Sequence, residues 1–283
     1  MYKAFYGFRE KPFHVTADPS FLYLSPQHRE ALDYLLYGIR ERLGFLVVTG
    51  EVGTGKTTLA KSLLSQLNGP TQTALILHPT LSPLQLLRTI ARDFEAPPLE
   101  SAHSGRSELL ESIEQLLLRQ AKLGGTAVLI IDEAQALSAP CLEQVRLLSN
   151  VETAKSKLLQ IVLLGQPELS QRLSNEPRLR ALNQRIAVHY HIQPLNEKEV
   201  ASYIEHRLRI AGPEASVHFT DGAAALIARL SGGFPRRINR LCDQALLAGF
   251  VREVERLDEA LVQASATANS AASVQPKVLA SQD

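Results

Sequence analysis

The 283-residue sequence contains no tryptophan, one methionine and only two cysteines. Cys141 and Cys242 lie far apart and match no metal-ligand spacing. A chain of this length buries enough core to do without a disulfide, so both are expected to be reduced, buried thiols of a cytosolic protein. Charge of one sign is also missing: 30 Lys and Arg against 29 Asp and Glu leave a net charge of +1. That balance excludes a global field toward nucleic acid or an anionic membrane, while a local patch remains open. No apolar run approaches the roughly 20 residues needed to span a bilayer. The opening Met1-Tyr2-Lys3 begins no apolar run of signal-peptide length. The expectation is a cytoplasmic chain in which nothing crosses a membrane.

What the chain does have is a 45% hydrophobic content, enough for one large domain or two modest ones. Residues 1–24 concentrate aromatics (Tyr2, Phe5, Tyr6, Phe8, Phe13, Phe21, Tyr23) around Pro12 and Pro19, a composition suited to an irregular, well-packed strap. Ser25-Pro26 suits an N-cap and first helical position, and the apolar spacing from Ala31 to Ile39 predicts an amphipathic helix. Five short β-rich runs follow: Phe45–Thr49, Thr73–Leu77, Ala127–Asp132, Leu159–Gly165 and Ala187–Ile192. Helical periodicity between the first four implies a parallel sheet covered by helices, an α/β domain over residues 25–194.

From Asn196 the pattern turns wholly helical, opening with Asn196 and Glu199 at capping-box spacing. A second helix is expected near Thr220 and a third after Gly232-Gly233-Phe234-Pro235, giving a small all-α domain over 195–263. Residues 264–283, rich in Ala and Ser without apolar period, are expected to be a disordered tail.

Gly50-Glu51-Val52-Gly53-Thr54-Gly55-Lys56-Thr57 satisfies G-x-x-x-x-G-K-[ST], after an apolar strand and before the helical run Thr58–Leu67. The order has a chemical reason. Glycines let backbone N–H groups close around phosphates, and the helix N-terminus adds partial positive charge. Lys56 then reaches the β- and γ-phosphates of ATP and Thr57 ligates Mg²⁺. The third β-run ends in Asp132-Glu133, two carboxylates where open α/β sheets place their ligands. Asp132 would hold the Mg²⁺ shell and Glu133 would orient and polarise the attacking water. The bland alternative is an Asp-Glu cap for the helix Cys141–Leu148. Gln166, in Gly165-Gln166-Pro167 at the end of the fourth run, is a candidate to touch the γ-phosphate or that water, or else part of a simple turn.

These motifs, with Gly232-Gly233-Phe234-Pro235-Arg236, together resemble an AAA+ ATPase. The opening Phe5-Tyr6-Gly7-Phe8-Arg9-Glu10-Lys11-Pro12-Phe13, then Phe21-Leu22-Tyr23-Leu24-Ser25, His28, Glu30-Ala31-Leu32 and the P-loop through Thr58, is more closely similar to the secretion ATPases called ExeA or GspA. The resemblance covers roughly residues 1–260. It implies a five-stranded AAA+ core with a helical lid, binding ATP with Mg²⁺ and working as a homo-oligomer on a protein partner in a secretion or envelope system. It also implies that Arg236 is the lid arginine called sensor 2, that Gln166 occupies the sensor 1 position, and that Arg185 is an arginine finger. Arg178 and Arg180 are rivals for the finger, and a plain surface arginine is the alternative throughout.

Secretion members continue into a transmembrane helix and a peptidoglycan-binding domain that are absent from these residues, so the chain is expected to be a soluble relative or the cytosolic part of an anchored protein. Helper ATPases of DNA transposition share the core pattern, which keeps a DNA-dependent alternative open. Nucleic-acid contact through Arg236, Arg237 and Arg240, with Arg252 and Arg256, is not favoured, because helix spacing makes most of that run a solvated face. His189 and His191 flank Tyr190 on one strand face, but with no third ligand in sight a metal pair there is not favoured. Lys155 and Lys157 would line an oligomer's pore or sit in a solvated loop.

Overall fold

The computed structural model describes residues 1–14, 19–67, 69–77, 79–97, 105–153, 156–212 and 214–272. The chain forms two compact units, one of Pro26–Gln193 and one that joins Met1–Ser25 to the segment from Pro194 onward.

The first unit is built on five parallel strands: β1 (Phe45–Gly50), β2 (Thr71–Ile76), β3 (Thr126–Ile131), β4 (Leu159–Gly165) and β5 (Ile186–Ile192), in spatial order β2-β3-β4-β1-β5. β1, β3 and β4 are almost wholly buried. Strands covered on both faces read as continuous apolar runs, which is why Leu-Val-Val and Val-Leu-Ile-Ile appear here without alternation. Phe45, Val47, Leu129, Ile131, Ile161 and Leu163 belong to one core cluster with apolar residues of the helices Pro83–Asp93, Arg106–Lys122, Ala139–Leu148 and Pro167–Asn175. The alternate residues point to the opposite face. There the helix Pro26–Arg40 approaches so closely that a β-carbon on Gly38 would lie 2.5 Å from the Leu46 side chain.

β5 is an edge strand, half-buried to exposed until Ile192. His189 and His191 are both exposed on its one face, and among the described residues no group of three His, Cys, Asp or Glu is placed to hold a metal. Lys157, read as a pore candidate, is ion-paired with Glu152 across a small antiparallel bridge. Lys155 lies outside the described residues. Both cysteines are free and buried.

The second unit packs the helices Glu197–Ala211, Asp221–Ser231, Pro235–Val251 and Glu259–Ala272. Asn196 and Glu199 form the reciprocal capping box, and Thr220 caps the next helix by accepting from the Ala223 amide. The unit is not purely α: the two-residue strands β6 (His218–Phe219) and β7 (Arg256–Leu257) pair in parallel. The last helix runs through Ala272, into the stretch expected to be disordered from residue 264; residues 273–283 lie outside the described residues. Ala is the best helix former, so the alanines interspersed from Ala264 to Ala272 extend a packed helix once Leu261 and Val262 are buried.

The aromatic strap is part of this unit's core. Tyr2, Tyr6, Phe8, Phe13 and Phe21 are all buried with Val200, Ile204, Leu241 and Leu246. Among the described residues no helix is long and apolar enough to cross a membrane.

Candidate functional site

β1 ends at Gly50, and the chain turns through Glu51–Gly55 into the helix Lys56–Gln66. Gly53 and Gly55 have φ of 85° and 97°, a region costly for any residue with a β-carbon, so the loop needs glycine there. The loop carries its own braces. Thr54 Oγ1 donates to the Glu51 carbonyl at 2.8 Å, and His28 Nε2 lies 2.8 Å from the Thr54 carbonyl. Both residues are buried.

Lys56 is 5% exposed, and its Nζ donates to the carbonyls of Gly50 at 2.8 Å and Glu51 at 3.0 Å. Burial lowers its pKa from the ordinary lysine value, opposed by the charges of Glu133, Asp132, Glu51 and Glu168. Four carboxylates therefore bear on one ammonium at the mouth of the loop.

Thr57 follows on the first turn of the helix, where its Oγ1 donates to Asp132 Oδ2 at 2.6 Å. Asp132 is 2% exposed beyond the end of β3, and its other oxygen accepts the Glu133 amide at 2.9 Å. Glu133 sits at φ 52°, a left-handed conformation uncommon for a non-glycine residue. Backbone strain of this kind is found at sites that must aim a side chain. The Asp-Glu pair does not cap the helix Ala139–Leu148; Ser138 does, accepting from the Cys141 amide.

Gln166, directly after β4, sends Nε2 to Glu133 Oε2 at 3.1 Å. β3 and β4 are neighbours in register, Ile131 opposite Leu163, which brings the two strand ends together. Gln135 was missed by sequence reasoning. Its Nε2 donates to Glu133 Oε2 at 2.5 Å and its Oε1 accepts the Gln166 amide at 3.0 Å. The signal was only its spacing, two residues past Glu133 in Asp-Glu-Ala-Gln. His28 was read as part of a family pattern and given no role; the structure gives it the Thr54 carbonyl.

The site thus gathers Lys56, Thr57, Asp132, Glu133 and Gln166 with the loop Gly50–Gly55, and Thr58 one residue further on the same helix. Arg185 lies elsewhere in this unit, half-buried, donating to Ser149 Oγ at 3.0 Å and Asn150 Oδ1 at 2.6 Å. Arg178 and Arg180 are exposed on the preceding turns. Arg236 is exposed on the first turn of the helix Pro235–Val251 in the other unit.

A glycine loop closing on a helix N-terminus, with a buried Asp and an adjacent Glu at the end of β3, offers donors for phosphate oxygens and hard oxygens for a divalent cation. Together with the strand order, this defines a P-loop ATPase of the AAA+ type. The comparisons agree. The family described as AAA domain matches residues 39–173. Within the class the chain is ExeA-like: General secretion pathway protein A of Aeromonas hydrophila is 46% identical over 252 residues, 89% of this chain and 45% of that protein. The chain thus spans less than half the length of that relative.

Among solved structures, the Aeropyrum pernix ORC2 protein matches with a TM-score of 0.65 at 18% identity, covering 92% of this chain and 72% of that one. The Thermotoga maritima RuvB Holliday junction branch migration motor matches at 0.60 and 20% identity, covering 88% and 73%. At these identities the likeness shows the fold alone.

Proposed function

We propose that the chain binds ATP with Mg²⁺ and hydrolyses it, and that turnover drives oligomer-dependent assembly or remodelling in a secretion or cell-envelope system. The observation that carries the chemical part is the pairing of Thr57 Oγ1 with Asp132 Oδ2 at 2.6 Å, beside a second carboxylate on Glu133. A hydroxyl and a carboxylate at the foot of a phosphate-binding loop are the hard donors that Mg²⁺ takes, so the residues fit the ion. Bound there, Mg²⁺ would neutralise charge on the β- and γ-phosphate oxygens.

The chain's own groups do the rest by position. The amides of Gly53–Thr57 face phosphate oxygens, and Lys56 exchanges its loop carbonyls for them. Glu133 orients and polarises the attacking water from beyond β3, with Gln166 at the same carboxylate. Arg185 and Arg236 enter as the resemblance has them, the first acting on a neighbouring subunit's site and the second from the helical unit. Such arginines stabilise charge on the transferred phosphoryl group. The envelope part rests on the name of the 46%-identical relative.

Steady-state ATP hydrolysis tests the proposal, with Lys56→Ala as the blank and duplex DNA present or absent at low salt. Basal turnover that needs Mg²⁺, ignores DNA and collapses in Glu133→Gln is the expected result. Normal turnover in Glu133→Gln would sink the role of that residue. Strong stimulation by DNA that fades with salt would replace the envelope reading with a DNA-dependent helper of the transposition type.

A further inference from the structure

We propose that Gln135 is a positioning residue that locks the Glu133 carboxylate to the end of β4, so that the water-activating group and Gln166 are held as one body. This rests on the reading of Glu133 as the group that polarises water.

Three bonds make the lock. Gln135 Nε2 donates to Glu133 Oε2 at 2.5 Å, and Gln135 Oε1 accepts from the Gln166 backbone amide at 3.0 Å. The Gln135 carbonyl accepts from Arg172 Nη1 at 2.8 Å, and the same nitrogen reaches the Leu137 carbonyl at 2.8 Å. Arg172 is itself held by Glu176 at 2.6 Å. A primary amide suits this place because it donates to a carboxylate with one end while accepting an N–H with the other. A carboxylate there would repel Glu133, and an apolar side chain would take the acceptor from the Gln166 amide and one of the two donors from Glu133.

The backbone is shaped around it. A β-carbon on Gly165 would come to 3.1 Å from Gln135 Oε1 and 2.7 Å from Leu169, so the glycine at the end of β4 makes room. Glu133 stands at φ 52°, which turns its side chain out of the line of β3, and the Gln166 side chain adds a second donor to the same oxygen at 3.1 Å. Two donors converging on Oε2 fix the rotation of the carboxylate. Any displacement of the β4 end is passed through the Gln166 amide and Gln135 to Glu133.

The test measures ATP affinity, kcat, KM and thermal melting of Gln135→Ala and Gln135→Glu in the full chain. Gln135→Ala should lower kcat roughly tenfold, the scale of a misaimed catalytic group, while KM and ATP affinity stay within about twofold. Gln135→Glu should fall further, because like charges push Glu133 away. In a Glu133→Gln background, adding Gln135→Ala should change the single-turnover rate no further, since the lock acts through Glu133. The proposal is overturned by an unchanged kcat in Gln135→Ala, or by a loss equally large in both backgrounds. Should Glu133→Gln itself turn over normally, the reading of Glu133 fails and takes the lock with it. A slow Glu133→Gln beside a fast Gln135→Ala fails the lock alone.

Discussion

His28 Nε2 lies 2.8 Å from the Thr54 carbonyl oxygen, and its ring occupies the space that a β-carbon on Gly55 would enter at 2.9 Å. A carbonyl only accepts, so Nε2 carries the proton and donates. The helix Pro26–Arg40 thereby holds the apex of the phosphate loop from the side, at the residue before the left-handed Gly55.

We predict that His28→Ala leaves the loop under-braced, raising KM for ATP about tenfold, the equivalent of one lost buried hydrogen bond, with kcat changed little. His28→Gln, which retains a donor, should recover part of the loss. Unchanged KM in the alanine variant would show that the brace is dispensable.

Arg185 spends its guanidinium on Ser149 and Asn150 at the end of the helix Ala139–Leu148. If it also serves a neighbouring site, Arg185→Ala keeps ATP affinity and loses oligomer-dependent turnover, at a stability cost below about 1 kcal/mol for partly exposed contacts. Mixing it with Lys56→Ala should restore turnover, because one variant supplies the arginine and the other the intact loop. No recovery on mixing rejects action across subunits.

Arg207 is 6% exposed and ties the strap to the helices of the same unit. Its Nε donates to the Pro12 carbonyl at 2.6 Å, Nη1 to the Tyr203 hydroxyl at 3.0 Å, and its guanidinium lies 4.8 Å from the centre of the Phe21 ring. Arg207→Met should cost about 2–4 kcal/mol, the range for charged hydrogen bonds lost in a buried site. The strap around Pro12 should become sensitive to limited proteolysis. Equal melting temperatures and an uncut strap would contradict this.

Tyr6 donates to the carbonyls of Leu246 at 3.2 Å and Val254 at 3.1 Å, and burial, with Glu255 nearby, pushes its pKa up to about 12. In the unfolded chain the phenol ionises near pH 10. The folded state therefore holds the proton longer, and the stabilisation is complete below about pH 10 and lost as pH rises through about 12. Denaturant midpoints of the parent should fall across that window more steeply than those of Tyr6→Phe, which begins about 1 kcal/mol lower at neutral pH. Parallel curves would rule out Tyr6 as the titrating group.

Much of the site could be read from the sequence because its parts are contiguous. Gly50 to Thr57 is one stretch whose glycines and lysine follow from phosphate geometry, and Asp132-Glu133 ends a run too apolar to be anything but a buried strand. The central strands β1, β3 and β4 were legible for the same reason, since strands covered on both faces read as continuous apolar runs. What escaped was relational. Gln135 carries no mark in the sequence that separates it from a loop glutamine, and its role appears only when β4 lies beside β3 and brings the Gln166 amide within 3.0 Å. The pairing of β6 with β7 was equally invisible, being two residues long on each side.

By itself, then, the sequence determined where the five core strands and the helices between them lie, where a phosphate loop must form, and which carboxylates end a buried strand. These depend on backbone preference, burial period and local charge, all set within a few residues. Only the tertiary structure decided that the strap packs with the residues beyond Pro194, that His28 braces Thr54 and that Arg207 reaches back to Pro12. Such partners lie tens to hundreds of residues apart, and a side chain's chemistry says what it needs without saying which distant group will meet that need once the core has packed.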